Sequence, residues 1–283
     1  MTMLYTFDDL AEWNGDTPLR LGVFGAPIAH SLSPQMQNAA LIACDLPMRY
    51  ERFHIRPDEL SAAIHLARDL NFVGLNLTVP HKIAGLRCVD KLDRSALAAG
   101  ALNTIVLRDG TAVGFNTDGS GFVAAVREVW SGLELKNTRV LVLGIGGAGR
   151  AIVAACATAG CDKVVVWNRT RTKIPDGLVV AESLPEAVAQ ADLIVNATSV
   201  GLSASDVSLI DRAMLRPEQF VYDTIYRPVV TPLLTEARAA GAKCANGFSM
   251  LLHQGARAFE LWFDRAAPID EMRRALWLAA EAA

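Results

Sequence analysis

The sequence predicts an α/β protein of two domains, each built on a parallel sheet, and three observations carry that prediction. Short apolar, strand-like runs alternate with longer stretches at helical spacing, so most strands are joined through helices rather than tight turns. Many of these runs end in polar residues, at the strand ends where open parallel sheets bind ligands. At 283 residues the chain has room for two cores of ordinary size.

Taken in order, residues 1–19 form an acidic arm with a turn expected at Asn14-Gly15-Asp16. A buried strand is expected over 21–25, then a loop over 26–34 and an apolar helix that Ser33 can cap, with Pro34 at its first position. A strand over 50–55 and a helix over 57–70 repeat the unit. The next strand, over 74–79, carries Asn76 and Thr78 to its end. There Pro80 stops strand pairing and starts a helix, placing Lys82 just past the turn. Short helical pieces around Lys82 and Ser95 lead to strands over 105–108 and 111–115, paired across Asp109-Gly110 as a hairpin. Asn116-Thr117-Asp118-Gly119 then precedes a helix over 122–130.

A second unit starts after Ser131-Gly132. Its first strand, over 139–143, runs into Gly144-Ile145-Gly146-Gly147-Ala148-Gly149-Arg150 and an apolar helix. Strands over 163–167, 193–195 and 220–222 follow, as a doubly wound sheet requires. Past Gly247, helices over 250–263 and 269–283 are expected to return to the first domain. The expected division is therefore 1–118 with 248–283, and 119–247.

Composition narrows the function class. Hydrophobic residues at 52% and charged residues at 20% describe a globular chain. A net charge of -3 offers no broad cationic surface for nucleic acid. No apolar run reaches the ~20 residues that a membrane helix needs, and the start lacks a signal-peptide pattern, so a cytoplasmic protein is expected. The five cysteines, Cys44, Cys88, Cys156, Cys161 and Cys244, form no CxxC pair and no metal-ligand spacing with the histidines. They read as free buried thiols, with no metal site.

Chemistry enters at the glycine turn. Gly144, Gly146 and Gly149 have GxGxxG spacing between a strand and a helix, with Gly147 and Ala148 inside the turn. Such glycines supply a tight bend, backbone approach to a pyrophosphate, and close helix-strand packing, so a dinucleotide site is predicted. An NAD site would place an acidic residue at the end of the next strand; this chain has Asn168-Arg169-Thr170-Arg171. A neutral amide and two guanidinium groups suit a 2'-phosphate. A solvated basic loop is the plainer reading. Asn196-Ala197-Thr198-Ser199-Val200-Gly201 can face a cofactor with small donors or be an ordinary capped loop.

Other polar positions stay open when taken singly. Asn103-Thr104 and Asn116-Thr117-Asp118 alone are turns. In an extended segment Ser31 and Ser33 would point the same way and could hold a carboxylate without net charge; equally, Ser33 can be a helix cap and nothing more. His81 and His253 suit packing or surface roles, and Gln254 suits a helix interface.

The ordered set resembles the shikimate dehydrogenase family. The resemblance covers the chain from about residue 20 through Gly25-Ala26-Pro27-Ile28-Ala29-His30-Ser31-Leu32-Ser33-Pro34 and Asn76-Leu77-Thr78-Val79-Pro80-His81-Lys82. It continues in Ala99-Gly100-Ala101-Leu102-Asn103-Thr104, Gly114-Phe115-Asn116-Thr117-Asp118, the glycine turn, Asn168-Arg169-Thr170, Asn196-Ala197-Thr198-Ser199, Tyr226, and Asn246-Gly247 through Gln254. It implies an N-terminal substrate domain and a Rossmann-type NADP domain with a cleft between them. The implied reaction is NADPH-dependent, reversible reduction of 3-dehydroshikimate to shikimate, within chorismate and aromatic amino acid biosynthesis.

The same resemblance assigns Lys82 to proton transfer, paired with Asp118. It assigns Ser31, Ser33 and Tyr226 to the substrate carboxylate, and Thr78, Asn103, Asp118 and Gln254 to its hydroxyls. Gly144, Gly146, Gly147, Ala148, Gly149, Asn168, Arg169, Thr170, Lys173, Thr198, Ser199, Gly247 and Met250 would surround NADP(H). The implied state is monomer or homodimer. Three residues depart from the family pattern: Ile145, expected to narrow the pyrophosphate approach; Lys173, standing where an arginine is frequent with Arg171 as a second helper; and Gln37, where histidine is frequent. Rival readings are a quinate/shikimate dehydrogenase using NAD, and a non-catalytic ligand-binding relative.

Overall fold

In the computed structural model, which describes residues 3–13, 18–203 and 205–281, the turn expected at Asn14-Gly15-Asp16 lies outside the described residues. The chain divides into two units: residues up to Asp118 with those from Leu252 onward, and Gly119–Leu251.

The N-terminal arm is structured. A short strand, β1 (Leu4–Thr6), is followed by a helix, α1 (Phe7–Ala11), started by a capping box between Thr6 and Asp9. The unit continues with β2 (Leu19–Gly25), α2 (Ser33–Ala43), β3 (Arg49–His54), α3 (Leu60–Asp69), β4 (Gly74–Leu77), α4 (His81–Ala84), β5 (Lys91–Leu92), α5 (Arg94–Ala99), β6 (Thr104–Arg108) and β7 (Thr111–Phe115). The sheet order is β1-β3-β2-β4-β6-β7-β5. β1, β3, β2 and β4 run parallel, and β6 lies antiparallel to both β4 and β7. Asp109 and Gly110, at φ 51° and 71°, make the β6–β7 turn in the left-handed region that such two-residue hairpins need.

Every residue of β4 is buried, as expected for a strand inside a sheet covered on both faces. Phe24, Phe53, Leu75, Leu77 and Ile105 pack with Leu60, Ala63, Ile64 and Ala67 of α3. Each fully buried large side chain contributes about 1.5–3 kcal/mol, so this core holds the strand ends in register.

The second unit takes up α6 (Asp118–Val129) after its first residue and continues with β8 (Arg139–Leu143), α7 (Gly147–Thr158), β9 (Lys163–Trp167), β10 (Val179–Val180), α8 (Leu184–Gln190), β11 (Leu193–Asn196), β12 (Phe220–Asp223), α9 (Pro232–Ala239) and β13 (Lys243–Ala245). Its sheet is parallel throughout, in the order β10-β9-β8-β11-β12-β13. This is the doubly wound Rossmann arrangement, whose order reverses between β8 and β11. The chain ends in α10 (Phe248–Phe263) and α11 (Ile269–Glu281), with α11 packed on α2. The unit boundary at Leu251 falls inside α10 rather than before it.

Five local expectations are corrected. The strand over 74–79 stops at Leu77, and Pro80 is the N-cap of α4 rather than its first residue. Ser33 does not cap α2: Leu32 holds the cap position and Ser33 lies in the first turn. The helix over 122–130 begins earlier, at Asp118, because the Asn116 side-chain oxygen accepts the Asp118 N–H at 3.0 Å and caps it. Of the five free cysteines only Cys156 is buried; the other four are half-buried.

Candidate active site

Lys82 is the second residue of α4, and three bonds fix that short helix. The His81 N–H donates to the Thr78 carbonyl at 2.8 Å, the His81 Nε2–H to the Ile55 carbonyl at 2.8 Å, and the Leu102 N–H to the Lys82 carbonyl at 2.8 Å. So anchored, Lys82 Nζ donates to Asp118 Oδ2 at 2.6 Å, with side chains 15% and 5% exposed. Opposite charges this dry need further hydrogen bonds to offset lost solvation. Asn103 Nδ2 supplies one, to Asp118 Oδ1 at 2.9 Å. Asp118 also stands in the first turn of α6, where a carboxylate suits the helix dipole.

Asn103 is the hub. Its Nδ2 lies 3.0 Å from Thr117 Oγ1 and 3.2 Å from Gln254 Oε1, and its Oδ1 accepts the Thr117 N–H at 2.7 Å. Behind it stands Asn76, 7% exposed, donating to the Asn103 carbonyl at 3.0 Å and Thr104 Oγ1 at 3.1 Å. Asn76 Oδ1 in turn accepts the Tyr50 hydroxyl at 2.8 Å. Burial pushes the Tyr50 phenol well above its usual range, so it remains a neutral donor. A continuous hydrogen-bonded chain therefore runs from Tyr50 through Asn76 and Asn103 to Asp118 and Lys82.

Ser31 lies in a turn, not an extended segment: its N–H donates to the Ile28 carbonyl at 3.0 Å and its Oγ accepts the Ser33 N–H at 3.3 Å. The expectation that extended backbone aligns the two hydroxyls is therefore corrected. Arg52, 9% exposed, holds this turn through Nε and Nη2, at 2.8 and 2.6 Å from the Ser31 carbonyl. The loops after β2 and β4 are tied by Ala26 N–H to Val79 O and Thr78 N–H to Phe24 O, both 3.0 Å. Gly25 makes room for Thr78, whose Cγ2 would sit 2.5 Å from a Cβ there. Ser31, Ser33, Thr78, Lys82, Asn103, Asp118 and Gln254 thus all belong to one unit. Tyr50, Arg52, Asn76 and Thr117 complete its hydrogen bonding and were missed as site residues. Asn76 offered a sequence signal, a polar side chain within an apolar strand.

The glycine turn occupies the reversal point of the second sheet. Gly144, at φ 92°, lies against Ala197 and Thr198, and Gly149 touches the Gly144 carbonyl so closely that no Cβ fits. Gly146 is the N-cap of α7, with nothing within 4 Å of where a Cβ would stand. Gly147 and Ala148 open the helix and are half-buried. Ile145 is 4% exposed and packs in the core with Ile152 and Val195, so it does not narrow the turn as expected.

Asn168 Nδ2 donates to the Thr170 carbonyl at 2.7 Å, shaping the loop after β9. Arg171, exposed like its neighbours, donates through Nη2 to the Glu182 carbonyl at 2.8 Å, tying the loop to the segment after β10. Arg169, Thr170 and Lys173 are exposed. The Thr198 hydroxyl donates to Asn196 Oδ1 at 2.7 Å, while Ser199 is exposed. The Gly247 N–H donates to the Ile225 carbonyl at 3.0 Å, and Met250, 6% exposed, sits in the core with its N–H on the Tyr222 hydroxyl at 3.2 Å. Tyr226 is half-buried in the loop before α9. Among the described residues no cluster fit to hold a metal occurs, and no helix is long and apolar enough to cross a membrane.

Residues 23–105 match the model of the shikimate dehydrogenase substrate binding domain and 247–276 that of the shikimate 5'-dehydrogenase C-terminal domain. Residues 117–217 match the NAD binding domain of D-isomer specific 2-hydroxyacid dehydrogenases. The shikimate dehydrogenase (NADP(+)) of Methanocella arvoryzae is 46% identical over 264 residues, spanning 89% of this chain and 96% of that protein. The chain belongs to the shikimate dehydrogenase family. The family member from Thermus thermophilus, solved in complex with NADP(H) and shikimate, superposes with a TM-score of 0.84 at 39% identity, covering 92% of this chain and 99% of that one. Quinate dehydrogenase from Corynebacterium glutamicum, solved with NAD, superposes with a TM-score of 0.82 at 29% identity, covering 93% and 99%.

His81 links this family site to pH. Its Nδ1 is buried without a partner among the described residues, while Nε2 carries the proton given to Ile55. Burial, foremost, and the neighbouring His54 lower its pKa from 6.5. The unfolded chain therefore binds this proton more tightly, so the contribution to stability is full above about pH 6.5 and is lost as pH falls through the folded value. Urea unfolding of the wild type should show stability declining from pH 7.5 to pH 5, and His81→Leu should show a shallower decline. Identical slopes would remove His81 from the acid response.

Proposed function

We propose that this chain is an NADP-dependent shikimate dehydrogenase, interconverting 3-dehydroshikimate and shikimate, with Lys82 as the proton-transfer group and Asp118 as its holder. The observation that carries the proposal is the 2.6 Å Lys82–Asp118 pair, joined through Asn103 to Gln254, in a chain 46% identical to a shikimate dehydrogenase (NADP(+)). Residues up to 118 and from 252 onward would form the substrate domain and 119–251 the dinucleotide domain. Five free cysteines accord with a cytoplasmic enzyme, acting as monomer or homodimer on the way to aromatic amino acids.

The residues present fit the cofactor. Gly146 leaves open space that a Cβ would fill, directly over the N-terminal N–H groups of the 12-residue helix α7, which suits a pyrophosphate. Arg169 and Lys173 are exposed cations on the loop after β9, where a 2'-phosphate would be read. When bound, NADPH supplies the hydride that adds to the ring ketone carbon. Lys82 Nζ gives a proton to the ketone oxygen as it becomes a hydroxyl, and takes one back in the oxidation. Asp118 keeps Nζ in place without leaving its own charge unpaired. Ser31, Ser33 and Tyr226 would bind the carboxylate, and Thr78, Asn103, Asp118 and Gln254 the hydroxyls, a set of short polar groups matched to a small polyhydroxylated acid.

Lys82→Met should lower kcat by about 10²–10⁴-fold with little change in the KM for shikimate, because general acid–base catalysis acts in the transition state. Unchanged turnover would end the assignment. In parallel, kcat/KM should favour NADPH over NADH and shikimate over quinate; the reverse order would favour the NAD-using quinate reading. Shikimate binding without oxidation would instead identify a non-catalytic relative. Gly146→Ala should leave the unfolding midpoint of the free protein unchanged and raise the KM for NADPH, and an unaltered KM would place the pyrophosphate elsewhere.

A further inference from the structure

Gln37 lies one turn beyond Ser33 on α2, so the two side chains share a face of that helix. It is 1% exposed, and its Nε2 donates to the Gly255 carbonyl of α10 at 2.9 Å. A carbonyl in mid-helix already accepts an intrahelical bond, so this second donor ties one helix to another rather than satisfying an orphan. Gly255 permits the approach. A Cβ there would clash with Met36 Cε and lie 3.3 Å from Gln37 Nε2.

Gln37 is a poor choice for stability alone. Its Oε1 is buried with no partner among the described residues, and an unpaired buried acceptor is destabilising. A side chain of similar length without polar atoms would avoid that loss. What the amide provides is a fixed link to the residue after Gln254, whose Oε1 lies 3.2 Å from Asn103 Nδ2, the amide that also bonds Asp118.

We propose that Gln37 is a positioning residue for substrate. By holding the Gly255 carbonyl it sets the rotation of α10 and hence the distance between Ser33, on its own helix, and Gln254. This deepens the proposed function and rests on it, since Ser33 and Gln254 are read there as binding opposite ends of the substrate. A histidine side chain can place a ring N–H at a similar reach from the backbone.

The test compares wild type, Gln37→Leu and Gln37→His in the full chain, each also in a Gln254→Ala background. Gln37→Leu should raise the KM for shikimate about two- to tenfold, the span of one net hydrogen bond, with kcat and the KM for NADPH held within twofold and the unfolding midpoint unchanged or higher. Gln37→His should restore the KM. In the Gln254→Ala background, Gln37→Leu should add nothing, because both act at one place. A wild-type KM in Gln37→Leu, or a KM rise that persists undiminished without Gln254, overturns the proposal while leaving the enzyme's function intact. Absence of shikimate turnover by the wild type would overturn the function and this inference with it. Should Gln37→Leu fail to fold, Gln37→Met carries the same readings.

Discussion

An ammonium and a carboxylate held 2.6 Å apart, at 15% and 5% side-chain exposure, impose the demand that the first unit is built to meet. Both ions give up water, and their mutual attraction offsets that loss only with near-ideal geometry and further donors. The β6–β7 hairpin answers part of the demand. Asn103 stands immediately before it and Asn116 immediately after, one amide bonding the Asp118 carboxylate and the other capping its helix. The inner strands answer the rest, through Asn76 and Tyr50 braced against the Asn103 backbone. The polar chain is satisfied at nearly every atom, which in a low-dielectric interior both orders it and makes each member costly to remove.

The second unit works by different physics. Its candidate dinucleotide site depends on backbone: an open glycine at a helix N-terminus, a left-handed Gly144 at the sheet's reversal point, and a Gly149 that lets the helix touch the turn. Side chains there shape loops instead. Asn196 organises Thr198 and also donates to Asp223, whose pKa burial raises despite bonds from Thr231, Ile225 and Asn196. Arg171 clamps the loop that carries Arg169. The Lys82–Asp118 ion pair depends on the identity of its two side chains, whereas the turn needs mainly the absence of a Cβ.

Legibility followed the range of the interactions. Features governed by neighbours in sequence were readable: the hairpin at Asp109-Gly110, β8 and β9, and the strand-glycine-helix passage after β8. The strands β1, β5, β10 and β13 are two or three residues long, too short for an alternating pattern to register. The helices α8 and α9 carried clear starts, a capping Ser183 and a capping Thr231 each followed by an early proline, yet their apolar faces are brief.

By itself the sequence determined the α/β grammar, the place of the glycine turn and the position of Lys82 just past a polar strand end. These depend on local backbone chemistry and on residue type. Tertiary structure alone decided that Asn76 braces the site, that Ile145 turns into the core, that Arg171 reaches the Glu182 carbonyl, and that Gln37 reaches Gly255. The reason is common to all four. A side chain's role depends on which atoms it meets, and the Gln37–Gly255 bond joins positions 218 residues apart that only packing brings together.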